Sequence, residues 1–93
     1  MRIDDTTFEL IIIGRVQGVG YRAWAKKNAK NLDILGWVKN AKDKSVLIEI
    51  SGNRKNIKLF ISKCYKGTVF SKVDEIISTE KSFKKFTDFE IRY

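Results

Sequence analysis

Phe8-Glu9-Leu10-Ile11-Ile12-Ile13-Gly14-Arg15-Val16-Gln17-Gly18-Val19-Gly20-Tyr21-Arg22 reads as a strand, a glycine-bearing loop and a helix start in direct succession. The apolar run Leu10 to Ile13 leaves no polar face, so the strand predicted over Thr7–Gly14 is central in its sheet rather than at an edge. Gly18 and Gly20 permit positive φ and close backbone approach, and the N–H groups opening the helix have no intrahelical partners. Such donors, together with the positive end of the helix dipole, suit a phosphate. Arg22 adds a permanently charged planar fork of donors at the same place. Two familiar nucleotide sites are excluded by the spelling. No Lys-Ser/Thr follows the glycines as in a P-loop, and no third glycine completes a dinucleotide fingerprint. A glycine-rich turn by itself is more often punctuation than a binding site.

After the loop, Tyr21, Trp24, Ala25, Asn28, Ala29 and Leu32 fall on one stripe of an amphipathic helix, with Lys26, Lys27 and Lys30 off it. Leu32-Asp33 ends that helix, and Ile34–Asn40 reads as a second strand in which Gly36 signals a bulge or a close backbone approach. The polar turn Ala41–Lys44 leads into a third strand over Ser45–Ser51, making a hairpin. Gly52-Asn53 breaks this strand, and Asn53 is an N-cap candidate for a helix marked by Ile57, Phe60, Ile61 and Cys64 and closed by Gly67. Arg54 and Lys55 sit where the helix dipole disfavours cations, a placement that local stability does not explain. Val69–Ser78 and Phe86–Tyr93 are the remaining strands. The order β-α-β-β-α-β implies an α+β ferredoxin-like sandwich, an antiparallel sheet with two helices on one face and the first and third strands central. The tail strand is expected to extend the last pair.

Ninety-three residues, 43% hydrophobic and 12% aromatic, make one folded domain spanning 1–93. No apolar run approaches the roughly 20 residues of a membrane span, and the N-terminus lacks the order of a signal peptide. The single cysteine, Cys64, fits a reducing compartment and is expected to be a buried hydrophobe, so a cytoplasmic location is expected. The net charge of +8 favours anionic partners, although most of the lysines belong to a solvated surface. The absence of histidine is more decisive. It removes the Ser-His-Asp triad, the Cys-His dyad and histidine-ligated metals, and one cysteine cannot build a thiolate zinc site. Any catalysis must therefore run on Arg, Lys, Asn, Gln, carboxylates, hydroxyls and backbone N–H groups.

Gly14-Arg15-Val16-Gln17-Gly18-Val19-Gly20-Tyr21-Arg22 resembles the first signature of the acylphosphatase family, and Gly36-Trp37-Val38-Lys39-Asn40 resembles its second. Their spacing, the Ser51-Gly52-Asn53 turn and the closing Phe89-Glu90-Ile91-Arg92-Tyr93 also match, so the resemblance covers nearly the whole chain. It implies metal- and cofactor-free hydrolysis of the carboxyl–phosphate bond of a small-molecule acyl phosphate, with inorganic phosphate as product and inhibitor. It further implies that Arg22 and the loop N–H groups of Gln17, Gly18, Val19, Gly20, Tyr21 and Arg22 hold the phosphate, while Asn40 positions the attacking water. Gln17 and Tyr21 are read as shaping the loop, and Arg15 as a possible attractor of substrate. Two departures lie outside the signatures and put loop shape in question. The family's Asp-Gly hairpin turn is Asp43-Lys44 here, and its Gly-Pro loop is Lys66-Gly67-Thr68-Val69.

An RNA-binding module on the same sandwich is the competing class, but the third strand, Ser45-Val46-Leu47-Ile48-Glu49-Ile50, lacks the stacking aromatics such a module needs. A third reading, a domain of a larger carbamoyl-phosphate-using protein, gives way to a free-standing monomer. No nucleic-acid partner and no membrane partner are expected.

Overall fold

The apolar run becomes β1, Asp5–Arg15, flanked antiparallel by β3, Val46–Asn53, and by β4, Lys72–Lys81. β2, Leu35–Asn40, lies beyond β3, and β5, Phe89–Arg92, beyond β2, giving the order β4-β1-β3-β2-β5. These relations come from a computed structural model that describes residues 2–93. The first and third strands are central, as the hydrophobic pattern predicts. α1, Tyr21–Asn31, and α2, Arg54–Cys64, complete the β-α-β-β-α-β order and pack against each other and the sheet.

Alternation decides which side of the sheet meets the helices. Leu10 and Ile12 of β1, Val46, Ile48 and Ile50 of β3 and Val38 of β2 are fully buried. They meet Tyr21, Ala25 and Ala29 of α1 and Ile57, Phe60 and Cys64 of α2 in one core. Trp24 packs on the margin of that core, its ring 6.4 Å from that of Phe60. Asn53 caps α2 as predicted, its Oδ1 accepting from the Lys55 N–H at 2.9 Å. Gly36 marks a close approach: a Cβ there would stand 1.9 Å from the Glu49 carbonyl oxygen.

Two expectations need correction. β5 does not extend the β4 side; it pairs parallel with β2 at the opposite edge, Gly36 facing Phe89 and Val38 facing Ile91, so the sheet is mixed. The connection after β4 reaches that edge by way of the helix-free face, where the Lys84 N–H donates to Thr7 Oγ1 at 2.8 Å and Lys84 Nζ lies 3.1 Å from Glu49 Oε2. Alternation of Phe89 and Ile91 tells which side faces the core, but not which edge receives the strand. The second correction concerns the start of β4. Val69 and Phe70 have strand-forming side chains, yet they sit in a turn, 93% and 75% exposed, and β4 begins only at Lys72.

Candidate active site

The loop after β1 delivers the chain to α1 through Gly20, whose φ of 79° and ψ of 16° lie in the left-handed region that glycine adopts without strain. No side chain caps α1 and its first turn holds no acidic residue. The opening N–H groups are therefore left to an external acceptor, at the positive end of the helix dipole. They face a cavity of about 190 Å³ lined by Gly18, Gly20, Tyr21, Arg22 and Ala23, with Asn40 across from them and Val16, Ile91 and Tyr93 around the rim. The topology brings Arg22 and Asn40 together because α1 packs over β2 and β5.

Asn40 ends β2 on the helix-facing side, opposite Val46. Its Oδ1 is buried and has no hydrogen-bond partner, alone in this respect among the buried side-chain oxygens and nitrogens of the described residues. An unmet acceptor of this kind costs about 1–3 kcal/mol unless a donor arrives. Arg22 forms no ion pair among the described residues; its guanidinium carbon lies over the Tyr93 ring instead. The cavity thus pairs an uncompensated cation and free N–H donors with an acceptor that awaits a donor.

Gln17 and Val19 belong to the loop without lining the cavity. Gln17 Nε2 donates to the carbonyls of Ala41 at 2.8 Å and Ser45 at 2.9 Å, tying the loop to the turn that follows Asn40. Val19 packs against the core margin. Tyr21 is buried, and its hydroxyl donates to the Cys64 carbonyl at 2.7 Å. Burial pushes its phenol far above the ordinary value, so it acts as a neutral strut. Burial likewise pushes the Cys64 thiol up to about 12, which removes it as a nucleophile near neutral pH. Arg15 is exposed at the end of β1 and does not line the cavity.

The two divergent loops keep workable shapes. Lys44 takes a φ of 75°, the conformation a glycine would take there, while Asp43 Oδ1 accepts from the Ser45 N–H at 3.0 Å and also from its hydroxyl. The loop after α2 is tied to the site: Thr68 Oγ1 donates to the Val19 carbonyl at 2.9 Å. Sequence reasoning missed Thr68, and only the Thr68-x-x-Ser71 turn spacing hinted at order there. Ile91 and Tyr93 were also missed as rim residues, since their approach depends on β5 joining β2.

A larger groove, about 630 Å³, opens at the other end of the strands around Asp33, Asn53 and Phe86. It is lined by charges of both signs and borders the start of α2, whose opening N–H groups are already engaged, Arg54 with the Asp4 carbonyl and Lys55 with Asn53 Oδ1. On the helix-free face the central strands β1 and β3 present no aromatic, and Glu9 stands opposite Glu49.

A family model described as acylphosphatase matches residues 8–91. An acylphosphatase of Clostridium acetobutylicum is 42% identical over 80 residues, covering 78% of this chain and 88% of that protein. The crystal structure of acylphosphatase from Bacillus subtilis superposes with a TM-score of 0.92 at 36% identity, covering 95% of this chain and 99% of the other. Full-length HypF, in a phosphate- and nucleotide-bound form, matches with a TM-score of 0.88 at 32% identity, covering 96% of this chain and 12% of that larger one. With both signatures converging on one cavity and the match running through nearly every strand and helix, this chain belongs to the acylphosphatase family.

Proposed function

We propose that this protein hydrolyses acyl phosphates to a carboxylate and inorganic phosphate, with Arg22 and the N–H groups of Gln17–Arg22 holding the phosphate and Asn40 positioning the water. The observation that carries this reading is the buried, unpartnered Oδ1 of Asn40 in the same cavity as Arg22 and the start of α1. A water molecule that donates to Oδ1 is held with its lone pair free to attack phosphorus, while the Asn40 NH₂ remains a donor, a dual role a carboxylate lacks. In the reaction the water oxygen bonds to phosphorus, the bond from phosphorus to the acyl oxygen breaks, and the carboxylate leaves with the electron pair. The water proton passes to a phosphate oxygen of the substrate, since no protein base lines the cavity. A mixed anhydride has a good leaving group, so positioning and charge stabilisation carry the rate. Preorganised N–H donors and one guanidinium supply the stabilisation.

The reading includes a single domain over residues 1–93 that acts as a cytoplasmic monomer without metal or cofactor. Inorganic phosphate is both its product and a competitive inhibitor. Support comes from the residue inventory, which has no histidine, and from the small cavity that gathers Arg22, Asn40 and the start of α1. Steady-state kinetics with phosphate inhibition test the roles. Arg22→Ala weakens phosphate inhibition and lowers kcat together, and Arg22→Lys does not restore either, because a point charge cannot reproduce the planar fork. Asn40→Ala lowers kcat by about 10²-fold or more yet leaves phosphate inhibition nearly intact. Near-normal kinetics for both alanine variants would remove the site, and an Asn40→Ala that loses phosphate but keeps kcat would reverse the roles.

A further inference from the structure

The charge of this protein is laid out by layer. From Leu10 to Leu32 and from Ile50 to Val73 the sequence contains no carboxylate. Within those spans α1 carries Arg22, Lys26, Lys27 and Lys30, and α2 with its following turn carries Arg54, Lys55, Lys58, Lys63 and Lys66. The ion pairs among the described residues use Glu9, Glu49, Glu80 and Glu90, all on strands, and of the nine helix-layer cations only Arg54 is engaged. The other eight form no ion pair among the described residues, although Lys58 lies close enough to Glu80 to help lower its carboxyl.

The same layer ends in an apolar tip. In the turn that begins four residues past the end of α2, Val69 and Phe70 are 93% and 75% exposed, and Leu59 on α2 is 45% exposed. The tip is built rather than loose. The Ser71 N–H donates to the Thr68 carbonyl at 3.1 Å, the Thr68 N–H to Ser71 Oγ at 2.8 Å, and Thr68 Oγ1 anchors the turn to Val19. Hydrogen bonds therefore hold two large apolar side chains out in water, with Lys63, Lys66 and Lys72 close in the chain on both sides.

We infer that the helix layer docks on an anionic phospholipid membrane surface, Val69 and Phe70 entering the headgroup boundary while Lys58, Lys63 and Lys66 meet the lipid phosphates. Apolar insertion combined with attraction of basic side chains to anionic lipid is the physics of peripheral membrane contact. No described helix is long and apolar enough to cross a membrane, which bears on spanning and not on surface contact. Nucleic acid would answer the charge and Phe70 could stack on a base, but Val69, the most exposed side chain of the tip, and Leu59 are aliphatic and suit an apolar boundary rather than a base face. Docked in this way, the tip sets the phosphate loop beside the lipid surface, because Thr68 holds Val19.

Co-sedimentation with phosphatidylcholine vesicles, with and without phosphatidylglycerol, tests the inference. Binding is expected only to the anionic vesicles at about 0.1 M salt, where the Debye length is about 10 Å, and is lost at about 1 M, where it is about 3 Å. Val69→Ser/Phe70→Ser and, separately, Lys58→Gln/Lys63→Gln/Lys66→Gln should each weaken vesicle binding by about tenfold or more, with unchanged circular dichroism and thermal midpoint. All of these positions are exposed, so the variants should fold. Failure to bind anionic vesicles, equal binding to neutral ones, or no effect of the Val69/Phe70 change overturns the proposal. Tighter binding to a mixed-sequence single-stranded RNA than to the vesicles, measured by fluorescence anisotropy in the same buffer, overturns it in favour of nucleic acid.

Discussion

The guanidinium carbon of Arg22 stands 4.9 Å from the centre of the Tyr93 ring, so the cation at the head of α1 rests against a π face rather than a carboxylate. A contact of this kind at an exposed position is worth about 0.5–1 kcal/mol. It holds the side chain near the cavity and leaves its charge whole, whereas an ion pair would have to be broken before a phosphate could bind.

Replacing Tyr93 with alanine should therefore cost little in fold and a measurable amount in phosphate affinity. Inhibition by inorganic phosphate is expected to weaken by about two- to fivefold, the equivalent of about 0.5–1 kcal/mol. Tyr93→Phe keeps the ring and should retain wild-type inhibition. An alanine variant that binds phosphate as tightly as wild type would show that the ring does not preorganise Arg22.

Gln17 joins the glycine loop before α1 to the turn after Asn40 through two hydrogen bonds from one amide. Gln17→Leu leaves the Ala41 and Ser45 carbonyls without this donor, and a loss of about 1–3 kcal/mol in urea unfolding is expected. Because the bonds also set the spacing between the loop and Asn40, KM should rise and kcat fall together. A stability loss with unaltered kinetics would confine Gln17 to the fold.

Gly36→Ala is the severe case. Its Cβ would lie 1.9 Å from a backbone oxygen of β3 at a φ of 148°, and neither strand can give way without breaking the ladder. Destabilisation of about 4 kcal/mol or more is expected, read as an insoluble product or a much lower denaturation midpoint.

Glu80 provides a pH signature away from the site. The Arg54 guanidinium, then the Thr6 hydroxyl, hold its carboxyl down at about 2, below the ordinary 4.5. With the folded value depressed, the contribution is complete above the unfolded value and drains away as pH falls from about 4.5 through about 2. The pair is nearly half exposed, so its effect is small. Calorimetry should find Glu80→Gln slightly less stable than wild type near neutral pH, with the difference closing as pH reaches the folded value.

Chelation should leave turnover unchanged. The chain has no histidine and one cysteine, and that thiol is buried and protonated. Loss of activity in EDTA that added metal restores would overturn the cofactor-free mechanism.

Much of this architecture was legible because its causes are local. Leu10 to Ile13 declared a central strand, Asn53 declared its cap, and Gly36 declared a bulge or a close approach, of which the close approach holds. Cys64 fell on the apolar stripe and is buried. The signatures around Arg22 and Asn40 pointed to one place, and the two residues do line one cavity. What stayed hidden was non-local. Phe89 and Ile91 gave the orientation of β5 but not its edge, which depends on the path over Thr7 and Glu49. Val69 and Phe70 have strand propensity and nevertheless form a turn, because the Thr68–Ser71 bonds and the tie to Val19 outweigh it. Thr68 could not be read as part of the loop's support, since its partner lies 49 positions away.

The parallel pairing of β5 with β2 carries a consequence for how the molecule matures. Asn40 sits on β2 while Ile91 comes from β5 and Tyr93 directly follows it, so the cavity wall is whole only after the chain has traversed the sheet and closed a long-range pairing at its far edge. Contacts of such long sequence separation form slowly, because loop-closure entropy must be met before they give anything back. Helical and hairpin signals should thus recover early in refolding, and the cavity between Arg22 and Asn40 late. On the proposed function, a phosphate ion that binds only the finished form should act as a latch on β5, slowing its release in proportion to how fully the cavity is filled.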